Sequence, residues 1–352
     1  MLPVTLIKTS LNVIYFSGLA AALRKPLQGR GSIFCLHHVV PSHLKHGEFG
    51  PNSKLEISPE FLSYIIQFVR KRGYETMSLS EAIASLQKPA KNQIPFAVFT
   101  LDDGYKDNLI NAQPVFKELN CPYTVYVAPG IVEGSAELWW RALEKIIVEN
   151  LSIFAEISAF THSYKTVTTA EKNNAWNALS VAMLLAPETE QREVTRELAK
   201  RYAIDLKSMC LESAMNWEEI QQLAQDPLCT IGAHTLGHFA IRKLDVSEAT
   251  QELSLSKKII EQRLNREVQH FAFPYGDESA AGSRDFKLAA QAGFASSVTT
   301  RLGVVTALHA NHLQALPRVM VSGRYAKLRY LDTLTSGVPS FIRNRFKIMN
   351  VN

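Results

Sequence analysis

Two short segments, Phe99-Thr100-Leu101-Asp102-Asp103-Gly104 and Gly232-Ala233-His234-Thr235-Leu236-Gly237-His238, hold the residue types of a metal-dependent hydrolytic site. The first runs out of an apolar stretch, Pro95 to Leu101, into two adjacent carboxylates. The second sets two imidazoles four residues apart at the end of another apolar run, Leu228 to Ala233. One carboxylate with two His leaves a divalent ion open positions for water and substrate, as catalytic rather than structural sites do. The neighbouring carboxylate then stays free to act as a base. Each segment also has a plainer use. Asp-Asp-Gly after a strand makes a turn with a helix cap, and two His four apart share a helix face. Gly237 between the rings fits a loop or a helix start equally well.

Such residues need a scaffold, and the pattern around them is α/β. Short apolar runs alternate with stretches of helical period, which predicts mostly parallel strands. Candidate strands are Ser32–Val40, Pro95–Leu101, Tyr123–Ala128, Leu228–Ala233, His270–Phe273, Phe294–Thr299 and Leu316–Met320. Helix starts stand between them. Ser58-Pro59-Glu60 is an N-cap with Pro at the first helical position, Asn216-Trp217-Glu218-Glu219 a capping-box variant, and Ser247 opens a long helix. The polar chemistry gathers where strands end: His37 and His38, Asp102 and Asp103, His234, Pro274-Tyr275-Gly276, and Arg318. Sites of a β/α barrel sit at the C-terminal ends of its strands. An open doubly wound sheet also binds there, but so many contributing strands favour a barrel of about seven. From about 134 to 215 no strand is legible, and Trp139, Leu143, Ile146, Trp176, Leu179 and Leu198 follow helical spacing. This reads as a helical insertion covering the site, assigned to the connection between the strands of the second and third motifs described below.

At 352 residues the chain can bury a full core, and 46% hydrophobic with 20% charged residues describes an ordinary folded protein. The four cysteines, Cys35, Cys121, Cys210 and Cys229, show no paired spacing and read as small buried hydrophobes. Charge is uneven. Residues 1–30 carry Lys8, Arg24, Lys25 and Arg30 without an acid, a net +4. Residues 322–352 carry six bases against Asp332, a net +5, so against the chain total of +5 the remainder is −4. Both ends are also apolar. Each is read as a basic amphipathic segment flanking a domain of 31–321, either lying on an anionic membrane or docked on the body. Nucleic acid is disfavoured, because aromatic and basic residues are not interleaved. No segment reaches the roughly 20 apolar residues of a bilayer span. Leu11 to Leu23 could serve as an export signal, though Arg24 and Lys25 follow it at once. A cytoplasmic or peripheral inner-membrane location is favoured, with export the alternative.

The motifs together resemble those of the polysaccharide deacetylases of carbohydrate esterase family four. Thr100-Leu101-Asp102-Asp103-Gly104 matches the first motif, His234-Thr235-Leu236-Gly237-His238 the second, and Phe273-Pro274-Tyr275-Gly276 the third. The resemblance covers roughly 32–133 and 216–320. It implies a distorted (β/α) barrel, a divalent metal, and removal of acetyl groups from N-acetylated amino sugars of a cell-envelope poly- or oligosaccharide. It implies Asp103, His234 and His238 as metal ligands, zinc first with cobalt or nickel as alternatives, and Asp102 as the base. Pro274 and Tyr275 would contact substrate, the Tyr275 N–H facing the oxyanion. Ala272 replaces the Arg that often orients the catalytic Asp, and Arg318 is the candidate replacement. His309 and His312 are candidate general acids, and His37 is a candidate acid or substrate contact. Two rival readings remain: a non-catalytic sugar-binding protein of the same fold, and a non-haem iron oxygenase, which also uses two His and one carboxylate.

Overall fold

The computed structural model describes residues 4–44, 48–88 and 94–351. Seven parallel strands close on themselves: β1 (Gly31–Leu36), β2 (Phe96–Leu101), β3 (Tyr123–Val127), β4 (Cys229–Ala233), β5 (His270–Ala272), β6 (Ser296–Leu302) and β7 (Leu316–Met320). Around the barrel the order is β1-β7-β6-β5-β4-β3-β2, and β1 pairs with both β7 and β2 to complete it. A two-residue strand, Glu75–Thr76, pairs with the start of β2. A register shift between β6 and β7 breaks the regularity.

Strands β1, β2 and β3 read as mainly apolar runs because both of their faces are buried. Alternation along each strand still divides the side chains. Ile33, Phe96, Val98, Tyr126, Ala272, Val298 and Leu316 form one cluster inside the barrel. Phe34, Leu36, Phe99, Leu101, Val125, Val127, Phe271 and Val319 belong to another, packed against the surrounding helices. The same period carries Cys35, Thr100 and Arg318 inward, above the apolar filling.

Before β1 lie two helices, α1 (Val4–Phe16) and α2 (Leu19–Leu27). The insertion contains α3 (Trp139–Glu149), α4 (Thr169–Leu185), α5 (Glu188–Arg201) and α6 (Leu206–Ser213). Trp139, Leu143, Ile146, Ile153, Trp176, Leu179, Met183 and Leu198 give it a core of its own. Two corrections apply here. The insertion joins β3 to β4, between the first and second motifs, whereas the connection from the second motif to the third carries the helix α7 (Val246–Leu264). Nor is the insertion wholly helical. Ser152–Ile157 and Phe160–Lys165 form an antiparallel hairpin turned by Ser158 and Ala159, both at positive φ.

Asp245, not Ser247, caps α7, its side chain accepting the Glu248 N–H. Ser58 and Asn216 cap as the sequence predicts. After β7 the chain forms α8 (Leu328–Thr335) and α9 (Val338–Arg343), which pack on α1 and α2. Among the described residues no cysteine is paired; Cys35, Cys121 and Cys210 are buried and Cys229 is partly so.

Candidate active site

Asp102 and Asp103 follow β2 directly, and the two carboxylates diverge. Asp102 points into the barrel, where Arg318 of β7 meets it in a bidentate ion pair: Nη1 to Oδ1 and Nη2 to Oδ2, each 2.7 Å. Arg318 is fully buried. It also donates to Thr100 Oγ1 at 3.0 Å and, through Nε, to the Thr299 carbonyl at 2.9 Å. Planar two-point pairing of this kind fixes orientation as well as charge. Burial opposes ionisation of Asp102, but the guanidinium outweighs it, so the Asp102 pKa lies below the ordinary carboxylate value. The Cys35 thiol lies 3.5 Å from Asp102 Oδ2 and His37 Nε2 lies 4.0 Å from the same oxygen.

Asp103 turns to the other side. Its Oδ1 lies 3.2 Å from Nε2 of His234 and 3.2 Å from Nε2 of His238. His234 follows β4 and donates its Nδ1 proton to the Ala272 carbonyl at 2.7 Å, so its Nε2 presents a lone pair. Three buried acceptor atoms thus converge within 4.8 Å of one another, and Asp103 Oδ1 makes no hydrogen bond. A buried acceptor left without a donor is costly. A shared divalent cation satisfies all three, so the donor set fits a metal.

Backbone strain collects here. Asp103, Thr235, His238 and Tyr275 have φ of +76°, +59°, +61° and +60°, a conformation that non-glycine residues adopt at a cost of about 1–3 kcal/mol each and that clusters at functional sites. Tyr275 is the centre of a tight turn in which Gly276 N–H donates to the Pro274 carbonyl at 2.6 Å. Pro274 is buried beneath it.

The insertion supplies contacts that nothing in the motif spacing announces. The Trp140 ring lies 4.9 Å from the His238 ring and 6.3 Å from that of Tyr275, centroid to centroid. Trp139 Nε1 donates to the Tyr275 hydroxyl at 3.0 Å. Buried Arg192 of α5 donates to the carbonyls of Gly237 and His238, at 3.0 and 3.2 Å, and pairs with Glu137 and Glu188. Glu188 in turn accepts the Ala240 N–H at 3.1 Å. The insertion therefore clasps the loop that carries both histidines.

Two candidate acids lie elsewhere. His309 and His312 sit in the segment that leads into Leu316, the first residue of β7, and nearby Val305 pairs with Gly31 at the start of β1. They are at the opposite end of the barrel, because the chain returns there before β7 can run parallel to its neighbours. His309 Nδ1 accepts the Thr306 N–H at 3.0 Å, a local turn contact. His37 alone of the three stands at the site. Its Nδ1 is buried without a partner, and burial lowers its pKa.

Residues 193–296, which include the second and third motifs, match the family model described as polysaccharide deacetylase. Over those residues the chain is similar to that family. Solved structures share its fold. The Streptococcus pyogenes deacetylase PplD, in complex with acetate, aligns with a TM-score of 0.55 at 16% identity, covering 86% of this chain and 97% of that one. IcaB from Ammonifex degensii aligns at 0.53 and 16% identity, over 88% of this chain and 99% of that one. A polysaccharide deacetylase from Bacillus cereus aligns at 0.52 and 16% identity, over 86% and 68%. No curated protein matches the chain.

Proposed function

We propose that this deacetylase removes acetyl groups from N-acetylated amino sugars of a cell-envelope poly- or oligosaccharide, with Asp103, His234 and His238 holding a divalent metal, zinc first. The observation that carries the reading is the division of the aspartate pair. One carboxylate is locked by a built-in cation, and the other is aimed with two imidazoles at a point the protein leaves to an external one. A bound cation there supplies Lewis-acid polarisation of the acyl carbonyl and acidifies the attacking water.

Asp102 is the base. It is charged at rest because of Arg318, and it accepts the proton of the attacking water. Arg318 is a positioning residue that holds both Asp102 oxygens in place. It does from β7 what an Arg at position 272 would do from the third motif, which removes the main argument for a sugar-binding protein without catalysis. The iron oxygenase reading has no use for Asp102 and Arg318. The Tyr275 N–H, set by its positive φ, stabilises the oxyanion, with Pro274 shaping the wall beside it. His37 protonates the departing amine. Burial lowers its pKa, so the proton it delivers is the one Asp102 has taken from the attacking water, passed from Asp102 Oδ2 to His37 Nε2, 4.0 Å away.

The test is an acetate-release screen of the metal-loaded protein over chitooligosaccharides, peptidoglycan fragments and lipid-linked amino sugars, with zinc, cobalt and nickel. Acetate and free amine in equal amounts from one of these classes is the expected result. Binding of glycans with no acetate under any metal would overturn the reading.

A further inference from the structure

The two basic ends, more than 300 residues apart in sequence, lie together. Arg329 of α8 donates through Nε to Asn12 of α1 at 3.0 Å and lies over the Phe16 ring at 5.8 Å. Arg24 of α2 pairs with Asp332 at 2.7 Å. Gly337 comes so close to α2 that a Cβ there would lie 1.9 Å from the Leu27 carbonyl oxygen.

Leu11 and Ala20 are turned inward by this packing. Val13, Phe16, Leu19 and Leu23 of the first end, with Phe346 and Ile348 of the second, remain exposed, Phe16 and Phe346 by more than 70%. Lys25, Lys327, Arg345 and Lys347 are exposed among them. The one acid of either end, Asp332, is buried under Arg24 and Arg72. Among the described residues, the surface of these ends is therefore apolar and cationic with no exposed acidic side chain of its own, on a chain whose remainder is net negative.

Its place in the fold matters. Helix α8 starts just beyond the C-terminal end of β7, and runs down to Thr335, whose carbonyl accepts the Tyr74 hydroxyl beside the start of β2. Arg329 and Phe16 thus stand at the end where the site opens. The other end returns to the same rim, where Asn350 donates to Glu278, two residues past the third motif, at 2.6 Å.

We infer that this face, which runs along the barrel wall from the site end at Arg329 to the start of β1 near Leu27, docks on an anionic phospholipid bilayer, with the barrel mouth opening at its edge. The argument is charge complementarity together with exposed aromatic and aliphatic side chains, the pair of properties that seats an amphipathic element at a membrane interface. No single described helix is long and apolar enough to cross a membrane, and α1 and α2, which pass on composition as a pair, are bent by 86° at their junction. The arrangement fits lying on a surface. The insertion also exposes apolar residues, Leu151, Phe160 and Leu185 among them, but it lacks a basic excess. Resting on the deacetylase reading, the same inference gives the substrate class: amino sugars presented at a membrane surface.

The experiment is co-sedimentation of the full chain with vesicles of phosphatidylcholine alone or mixed with phosphatidylglycerol, at low and high salt. Binding is expected only to the mixed vesicles, weakening as salt rises. Lys25→Gln, Lys327→Gln and Arg345→Gln should each weaken it about fivefold, and Phe16→Ser with Phe346→Ser should weaken it further. Acetate release from a soluble oligosaccharide should be unchanged in all of these variants, with circular dichroism confirming the fold. Equal binding to neutral vesicles, no effect of the substitutions, or self-association that these substitutions abolish in the absence of lipid would each overturn the inference. Vesicle binding is read without turnover, so a protein that docks but releases no acetate leaves the surface standing and defeats only the chemistry.

Discussion

The two ends of this barrel use the same side chain in opposite ways. At the N-terminal end, His270 lies between two hydroxyls, Nε2 at 2.8 Å from Ser80 Oγ and Nδ1 at 2.9 Å from Ser296 Oγ. His309 caps a turn through the Thr306 N–H. Burial lowers both pKa values to about 4. At the C-terminal end, His37 and His238 each bury an Nδ1 with no partner, and Asp103 buries an oxygen with none. Native interiors satisfy their buried polar groups. At the first end the histidines are satisfied from within and serve the scaffold; at the second, Asp103 Oδ1, facing the Nε2 atoms of His234 and His238, is where the proposed cation would sit. The contrast within the aspartate pair is the same one at closer range, since Asp102 has Arg318 and Asp103 has no cation of its own.

The contrast breaks at different places by different amounts. The largest effect should come from Asp103→Ala, His234→Ala or His238→Ala, each abolishing both bound metal and acetate release, measured by metal analysis and a coupled acetate assay. Next is Asp102→Asn, which should keep the metal and lower turnover by about 10²–10⁴. It leaves Arg318 half-paired in the core, so a lower melting temperature should accompany it.

Arg318→Met removes the guanidinium that holds the Asp102 pKa down. The Asp102 pKa then rises, and the acid limb of the pH–rate profile should move to higher pH. Stability should fall by about 3–5 kcal/mol, as when one partner of a buried pair is lost, read by denaturant unfolding. An unmoved acid limb would show that Arg318 is structural only. Arg192→Ala should weaken metal binding by about 10–100-fold, the usual cost of losing an outer support of a metal site. Excess metal should restore its activity.

The smallest effect belongs to the N-terminal end. His270→Asn should leave metal binding and turnover unchanged. His270 has its folded pKa pushed down, to about 4, so the unfolded chain binds the extra proton. Stability therefore falls as pH drops from about 6.5 to about 4, by up to about 3 kcal/mol, and the substitution should flatten that slope. Loss of metal in this variant would erase the distinction between the two ends.

How far the chain could be read without coordinates follows from how local each signal is. Strands β1, β2 and β3 are legible because burial on both faces demands mainly apolar runs. The insertion hairpin is not, since its turn residues Ser158 and Ala159 sit at positive φ without the Gly, Asn or Asp that usually marks such a turn. Asp102, Asp103 and His234 stand out because they follow directly on strand ends, and His238 because it stands four residues after His234. His309 misleads because nearness in sequence to Arg318 says nothing about which end of the barrel the connection visits. Arg192 is invisible: it donates to backbone carbonyls 45 and 46 positions away, and a carbonyl has no sequence identity.

The central claim is that the protein completes one aspartate and leaves the other to a cation. Metal content per chain, measured after dialysis for the native protein, Asp102→Asn and Asp103→Ala side by side, tests it most directly. One divalent ion in the first two and none in the third is the result expected; equal metal in all three, or its loss from Asp102→Asn alone, would contradict the account.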